Sequence, residues 1–115
     1  MASAHTTAER RALEEALRHG REEMRGGEAR AALEHYDAAF RLLPTAGTAA
    51  EASDLLRWTG HIHRVQGDYE VAGELYEAAL AVAEASGLGA QSASATNDLG
   101  HIAHLEGDLD RAERL

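Results

Sequence analysis

No cysteine occurs in this chain, which excludes disulfides and any thiolate-bound metal. Lysine is absent too: all 11 cationic side chains are arginine, a mark of GC-rich coding rather than of mechanism. They face 20 acids, for a net charge of −9. That balance argues against nucleic acid and anionic membranes as partners, because binding phosphate needs a basic footprint. Aromatic residues make up only 4% against 44% hydrophobic, so the core must be built from Ala and Leu, which suits closely packed helices. No apolar run approaches the roughly 18 residues of a membrane span. The start, MASAHTTAERR, lacks the apolar core of a signal peptide. A cytoplasmic protein is the expectation, and 115 residues make one domain with a single small core.

What the chain does have is a pattern repeated in phase. Gly60, Gly67-Asp68, Ala72, Tyr76 and Ala79-Leu80 form one copy. Gly20, Gly27-Glu28, Ala32, Tyr36 and Ala39-Phe40 precede it, and Gly100, Gly107-Asp108 and Ala112 follow. The turn glycines at 27, 67 and 107 are 40 residues apart each time. A fixed period in this range is the mark of a helical solenoid.

The predicted elements follow this phase. Residues 1–6 read as disordered, and 7–115 as one helical repeat domain with repeats at about 8–47, 48–87 and 88–115, the last incomplete. Thr6 or Thr7 caps a first helix that runs to about Arg25. A second helix covers about Glu28–Leu43, burying Ala32, Leu33, Tyr36, Phe40 and Leu43 until Pro44 stops it. Thr48 and Glu51 form a capping box for a third helix, about Ala49–Gln66, which carries Leu55, Leu56, Trp58, Ile62 and Val65. Asp68 caps a fourth, with Val71, Ala72, Leu75, Tyr76, Ala79, Leu80 and Ala83 on one stripe. A fifth runs from about Ala90 to Glu106, and a sixth begins at Asp108. Gly on each first helix and Ala on each second helix thin the interface where the two axes approach.

These residues resemble the tetratricopeptide repeat. The small residue of its first helix fits Gly20, Gly60 and Gly100, and the alanine of its second fits Ala32, Ala72 and Ala112. Its aromatic fits Tyr36 and Tyr76, and its closing proline fits Pro44. Thr59 and His19 depart from it, standing where the family prefers leucine. The period exceeds the usual 34 residues, so the resemblance is to the long-repeat variety found in kinesin light chains, bacterial signalling ATPases and large transcriptional regulators. It implies an all-α superhelix of antiparallel helix pairs, about two and a half repeats, with the first helices lining a concave groove.

Carried over, that groove is lined by Leu17, Arg21 and Met24 with Arg18 and Arg25 beside them, then by Arg57, His61 and Arg64, then by Asn97, His101 and His104. The second helices carry the acids Glu34, Asp37, Glu70, Glu74, Glu77 and Glu84, which concentrates cationic side chains on the opposite surface. An extended peptide or partner protein with acidic groups suits them, since Arg grips carboxylates bidentately. The bland alternative is solvated Arg paired with nearby acids, such as Asp54 with Arg57. The carboxylate clamp of chaperone-binding members needs Lys and Asn, and only Asn97 is suitably placed. His61 and His63 fall on different helix faces; with no Cys, the histidines read as groove lining, and no cofactor or metal is expected. Trp58 reads as an inter-repeat packing residue. Gly26-Gly27 and Gly87-Leu88-Gly89 are helix punctuation without a following Lys-Ser/Thr, and no Ser-His-acid spacing offers a triad. The leading expectation is a non-catalytic interaction scaffold. The alternatives are a self-assembly module, or the N-terminal piece of a bacterial regulator whose active domain lies outside the chain.

Overall fold

The computed structural model describes residues 4–114, with side chains placed from residue 7 onward except at Ala112. The described residues form five helices and no strand: α1 (Ala4–Arg25), α2 (Ala29–Ala46), α3 (Ala49–Val65), α4 (Tyr69–Ala85) and α5 (Gly89–Arg114). α1 pairs with α2, α3 with α4, and α5 packs on α4 and more lightly on α3. The body measures 62 × 32 × 17 Å. Its least dimension is under two helix diameters of ~10–12 Å, so every helix keeps an outward face.

Three turns repeat one geometry. Gly27, Gly67 and Gly87 adopt φ of 78°, 85° and 65°, left-handed values that a Cβ disfavours. In each, the glycine and the residue after it return N–H groups to the preceding helix. Gly67 N donates to the Arg64 carbonyl at 3.0 Å and Asp68 N to the His63 carbonyl at 2.8 Å. This paired arrangement closes a helix end in one step.

The core explains the repeated Gly and Ala. A Cβ on Gly20 would lie 2.3 Å from the Tyr36 ring, and one on Gly60 would lie 2.6 Å from the Tyr76 ring. Each glycine therefore receives the tyrosine of the following helix. Ala32, Ala39, Ala72 and Ala79 are fully buried beside these rings, with Leu13, Leu55 and Ile62. Thr59 satisfies its buried hydroxyl on the Leu55 carbonyl one turn back, at 2.8 Å. Ser53 donates across to the Ala79 carbonyl of α4 at 3.0 Å.

Several expectations are corrected. α1 starts at Ala4, ahead of Thr6 and Thr7 and within the stretch read as disordered, because no Gly or Pro interrupts the run to Glu9; 1–3 lie outside the described residues. Pro44 does not stop α2, which continues to Ala46. Proline removes one N–H in the last turn, and the Gly47 N–H closes the helix on the Leu43 carbonyl at 2.9 Å. The Thr48–Glu51 capping box is present in both directions. Asp68 occupies the cap position of α4 without a side-chain cap bond, and its carboxylate stands 3.8 Å from His63. Val65 is 74% exposed at the end of α3. Most consequentially, Gly107 makes no turn: α5 passes through it. From Asp108 to Arg114 the sequence offers one large apolar side chain, Leu109, and it is exposed. Folding back would bury little, so the helix propagates. Gly100 accordingly has nothing within 4 Å of a built Cβ, and the Ala112 side chain lies outside the described residues.

Candidate partner-binding face

The odd-numbered helices share a face, and two clamps hold their order along it. At one end Arg10 grips Glu51 with both guanidinium Nη atoms, at 2.5 and 2.8 Å, and also donates to the Ala46 carbonyl at 3.1 Å. Its Nε bonds Glu14 at 2.9 Å, and the Thr45 hydroxyl donates to Glu9 nearby. The Arg10 hydrogen bonds, with help from Thr48, hold the Glu51 carboxyl below the usual carboxylate range despite partial burial. Arg10 and Glu51 were not legible as partners, since nothing in the 40-residue phase pairs them.

The second clamp joins α3 to α5. Asp98 accepts from Arg57 Nε at 2.8 Å and from His61 Nε2 at 3.2 Å, and only 18% of its side chain is exposed. Arg57 is equally withdrawn at 17%, with Asp54 at 3.9 Å. Burial lowers the His61 pKa more than the Asp98 charge raises it, so the imidazole stays neutral near pH 7 and donates from Nε2. Arg64 Nη1 donates to His101 Nδ1 at 3.0 Å. Its Nε and the Tyr76 hydroxyl are buried without a well-formed hydrogen bond.

Between α1 and α3 the same face is open. Arg21, Met24, Arg25, Tyr36, Trp58 and His61 line a depression. The Arg21 guanidinium lies over the Trp58 indole, 4.6 Å from its centroid, and the Trp58 ring tilts 31° to Tyr36 at 6.2 Å. Trp58 therefore packs between repeats and also floors this depression. Burial raises the Tyr36 pKa, opposed by the charges of Arg21 and Arg25, which line the depression with it. A second, wider depression runs along α5 past Ser92, Thr96, Asn97, His101 and His104.

The nine residues expected along this face thus divide into three groups. Arg57, His61, Arg64 and His101 are engaged internally. Arg21 and Arg25 are exposed, and neither forms a direct ion pair among the described residues, though the Arg21 charge acts on Asp54. Arg18 is exposed, 3.9 Å from Glu22, while His104 stands 3.6 Å from Asp108 and Asn97 is exposed. Leu17, one of the lining positions of the first repeat, is buried in the core. No helix among the described residues is long and apolar enough to cross a membrane. Among them, no group of three or more His, Cys, Asp or Glu is arranged to hold a metal ion.

No curated protein and no solved structure matches the chain. The family model of the tetratricopeptide repeat matches residues 51–115, more than half of the sequence and the part that contains most of α3 and all of α4 and α5. With glycine-received tyrosines in the α1–α2 and α3–α4 pairs and an all-α architecture, the chain belongs to the tetratricopeptide repeat family.

Proposed function

We propose that this chain is a non-catalytic interaction module of the long-repeat variety, taking an extended, acidic polypeptide along the face shared by α1, α3 and α5. One observation carries the reading: the α1–α3 depression is lined by Arg21, Arg25 and His61 and the α5 depression by Asn97, His101 and His104 beside Asp98, whereas α4 exposes Glu70, Glu74, Glu77 and Glu84 and carries no cation. An acidic polypeptide is drawn to the first face and repelled from the second. Tetratricopeptide repeats generally mediate protein–protein interaction, which agrees with this reading. A cytoplasmic setting goes with it.

Selection from a random peptide library tests it. Enrichment of acidic peptides whose binding is lost in Arg21→Glu and unchanged in Glu34→Gln is the expected result. Binders that depend on the α2–α4 face would overturn it.

A second reading, self-association through α5, rests on Gly100. The equivalent glycines hold tyrosine rings, and Gly100 holds nothing. Light-scattering mass across a concentration series, repeated with a polar capping helix appended after Leu115, separates the two. A native dimer that becomes a monomer when capped supports self-association, and two monomers dispose of it.

A further inference from the structure

The two junctions between successive odd helices are built on equivalent positions, because Arg21, Tyr36 and Trp58 recur forty residues on as His61, Tyr76 and Asp98. The contacts recur with them. Arg21 lies over Trp58, and His61 bonds Asp98. His61 also packs edge-on against Tyr76 at 5.5 Å, on the side where Arg21 and Arg25 sit near Tyr36. In the α3–α5 junction the chain supplies its own carboxylate, Asp98, and surrounds it with Arg57 and His61. In the α1–α3 junction the corresponding residue is Trp58. There the cations Arg21 and Arg25 are exposed, and no carboxylate of the described residues forms a direct ion pair with either, although the Arg21 charge acts at longer range on Asp54 of α3.

We infer that the α1–α3 junction binds the side-chain carboxylate of an Asp or Glu on the partner polypeptide, filling from outside the place that Asp98 fills from within. The inference rests on the partner-binding face proposed above and names its principal contact. A guanidinium lying over an indole can still turn N–H donors toward a bidentate carboxylate, and Arg21 lies over Trp58. Met24 and the uncovered part of Trp58 offer apolar surface to the methylene stem or to an apolar neighbour of the acid. A side chain is favoured over a chain terminus because Asp98, the internal counterpart, is presented by backbone that continues past it on both sides.

The probe is an acetylated, amidated heptapeptide pool with one central Glu flanked by Leu and Phe, set against its Gln counterpart and against the Gln pool with a free C-terminus. Trp58, the single tryptophan, reports occupancy by fluorescence, and labelled-peptide anisotropy provides an independent readout. The Glu pool should bind at least ~10-fold more tightly than the amidated Gln pool, as expected for a hydrogen bond to a charged group. Arg21→Gln and Arg25→Gln, both surface changes, should remove that preference. Trp58→Asp, which installs an internal carboxylate, should also remove it. Equal binding of Glu and Gln pools overturns the inference, as does a preference for the free C-terminus. Indifference to Arg21→Gln and Arg25→Gln, with binding lost on changing Asn97 or His104, overturns it while leaving the partner-binding face intact. If neither these pools nor the random library bind at the face, the functional reading itself fails.

Discussion

The α1–α3 and α3–α5 junctions share a frame and differ in content. Both set a tyrosine from an even helix beside the odd helix that precedes it, and in both the ring lies against a glycine with no Cβ to obstruct it. Above that frame, the second junction closes on itself through Asp98, while the first exposes two arginines around an indole. Repetition in this chain preserves packing and releases chemistry. The packing positions Gly20 and Gly60, Ala32 and Ala72, Tyr36 and Tyr76, Ala39 and Ala79 repeat their residue type, whereas Arg21 and His61, Trp58 and Asp98 on the shared face do not.

The largest effect should come from breaking the shared frame. Gly20→Ala and Gly60→Ala each push a methyl into a tyrosine ring and should cost about 1–3 kcal/mol by overpacking, read by urea unfolding. Gly100→Ala is the sharper half of the comparison. It has the same sequence phase with open space around it, so it should stabilise by about 0.5–1 kcal/mol through helix propensity. Loss of stability at Gly100 equal to that at Gly60 would mean that α5 has a tyrosine-bearing neighbour in solution.

The next effect separates the two junctions. Asp98→Asn leaves Arg57 and His61 withdrawn from solvent without their anion and should cost about 1–3 kcal/mol. Arg21→Gln in the open junction should stay within about 0.5 kcal/mol, as surface substitutions do. Equal costs would erase the distinction between a closed and an open junction.

The smallest effects are in pH. His61 is harder to protonate folded than unfolded, so the unfolded chain binds more protons and stability falls as pH drops below the ordinary imidazole value of 6.5. His61→Gln should flatten that part of the profile. Asp98→Asn should steepen it, because the attraction opposing burial is gone. Glu51 acts lower on the scale. Its carboxyl is depressed by Arg10, so its contribution is present above the ordinary carboxylate value and is lost as pH falls through the folded value. Glu51→Gln should cost up to about 1 kcal/mol at pH 7 and nothing in strong acid, as measured by thermal unfolding across pH.

The helical pairs were legible because Gly, Ala and Tyr repeat in one phase, and that phase encodes which side chain enters which gap. The capping box was legible from Thr48 and Glu51 alone, being local. Gly107 misled for the same reason that Gly67 informed. The motif is identical, but a turn forms only when the following segment can bury a face, and Asp108–Arg114 has little to bury. On the shared face, the sequence placed the right residues but not their ionic partners. Arg57 next to Asp54 is visible at helical spacing, whereas Arg57 with Asp98 depends on how α5 crosses α3. That pairing had one readable sign, an acid at the phase position that Trp58 holds a repeat earlier.

The most direct test of the two-junction account is an arginine Nε–Hε NMR spectrum of the native chain, recorded with and without the central-Glu peptide pool. The Arg57 signal should exchange slowly with water and stay in place on titration, held by Asp98, while the Arg21 and Arg25 signals exchange fast and shift. An Arg57 signal that exchanges as fast as Arg21, or that moves with the peptide while Arg21 does not, would contradict the account.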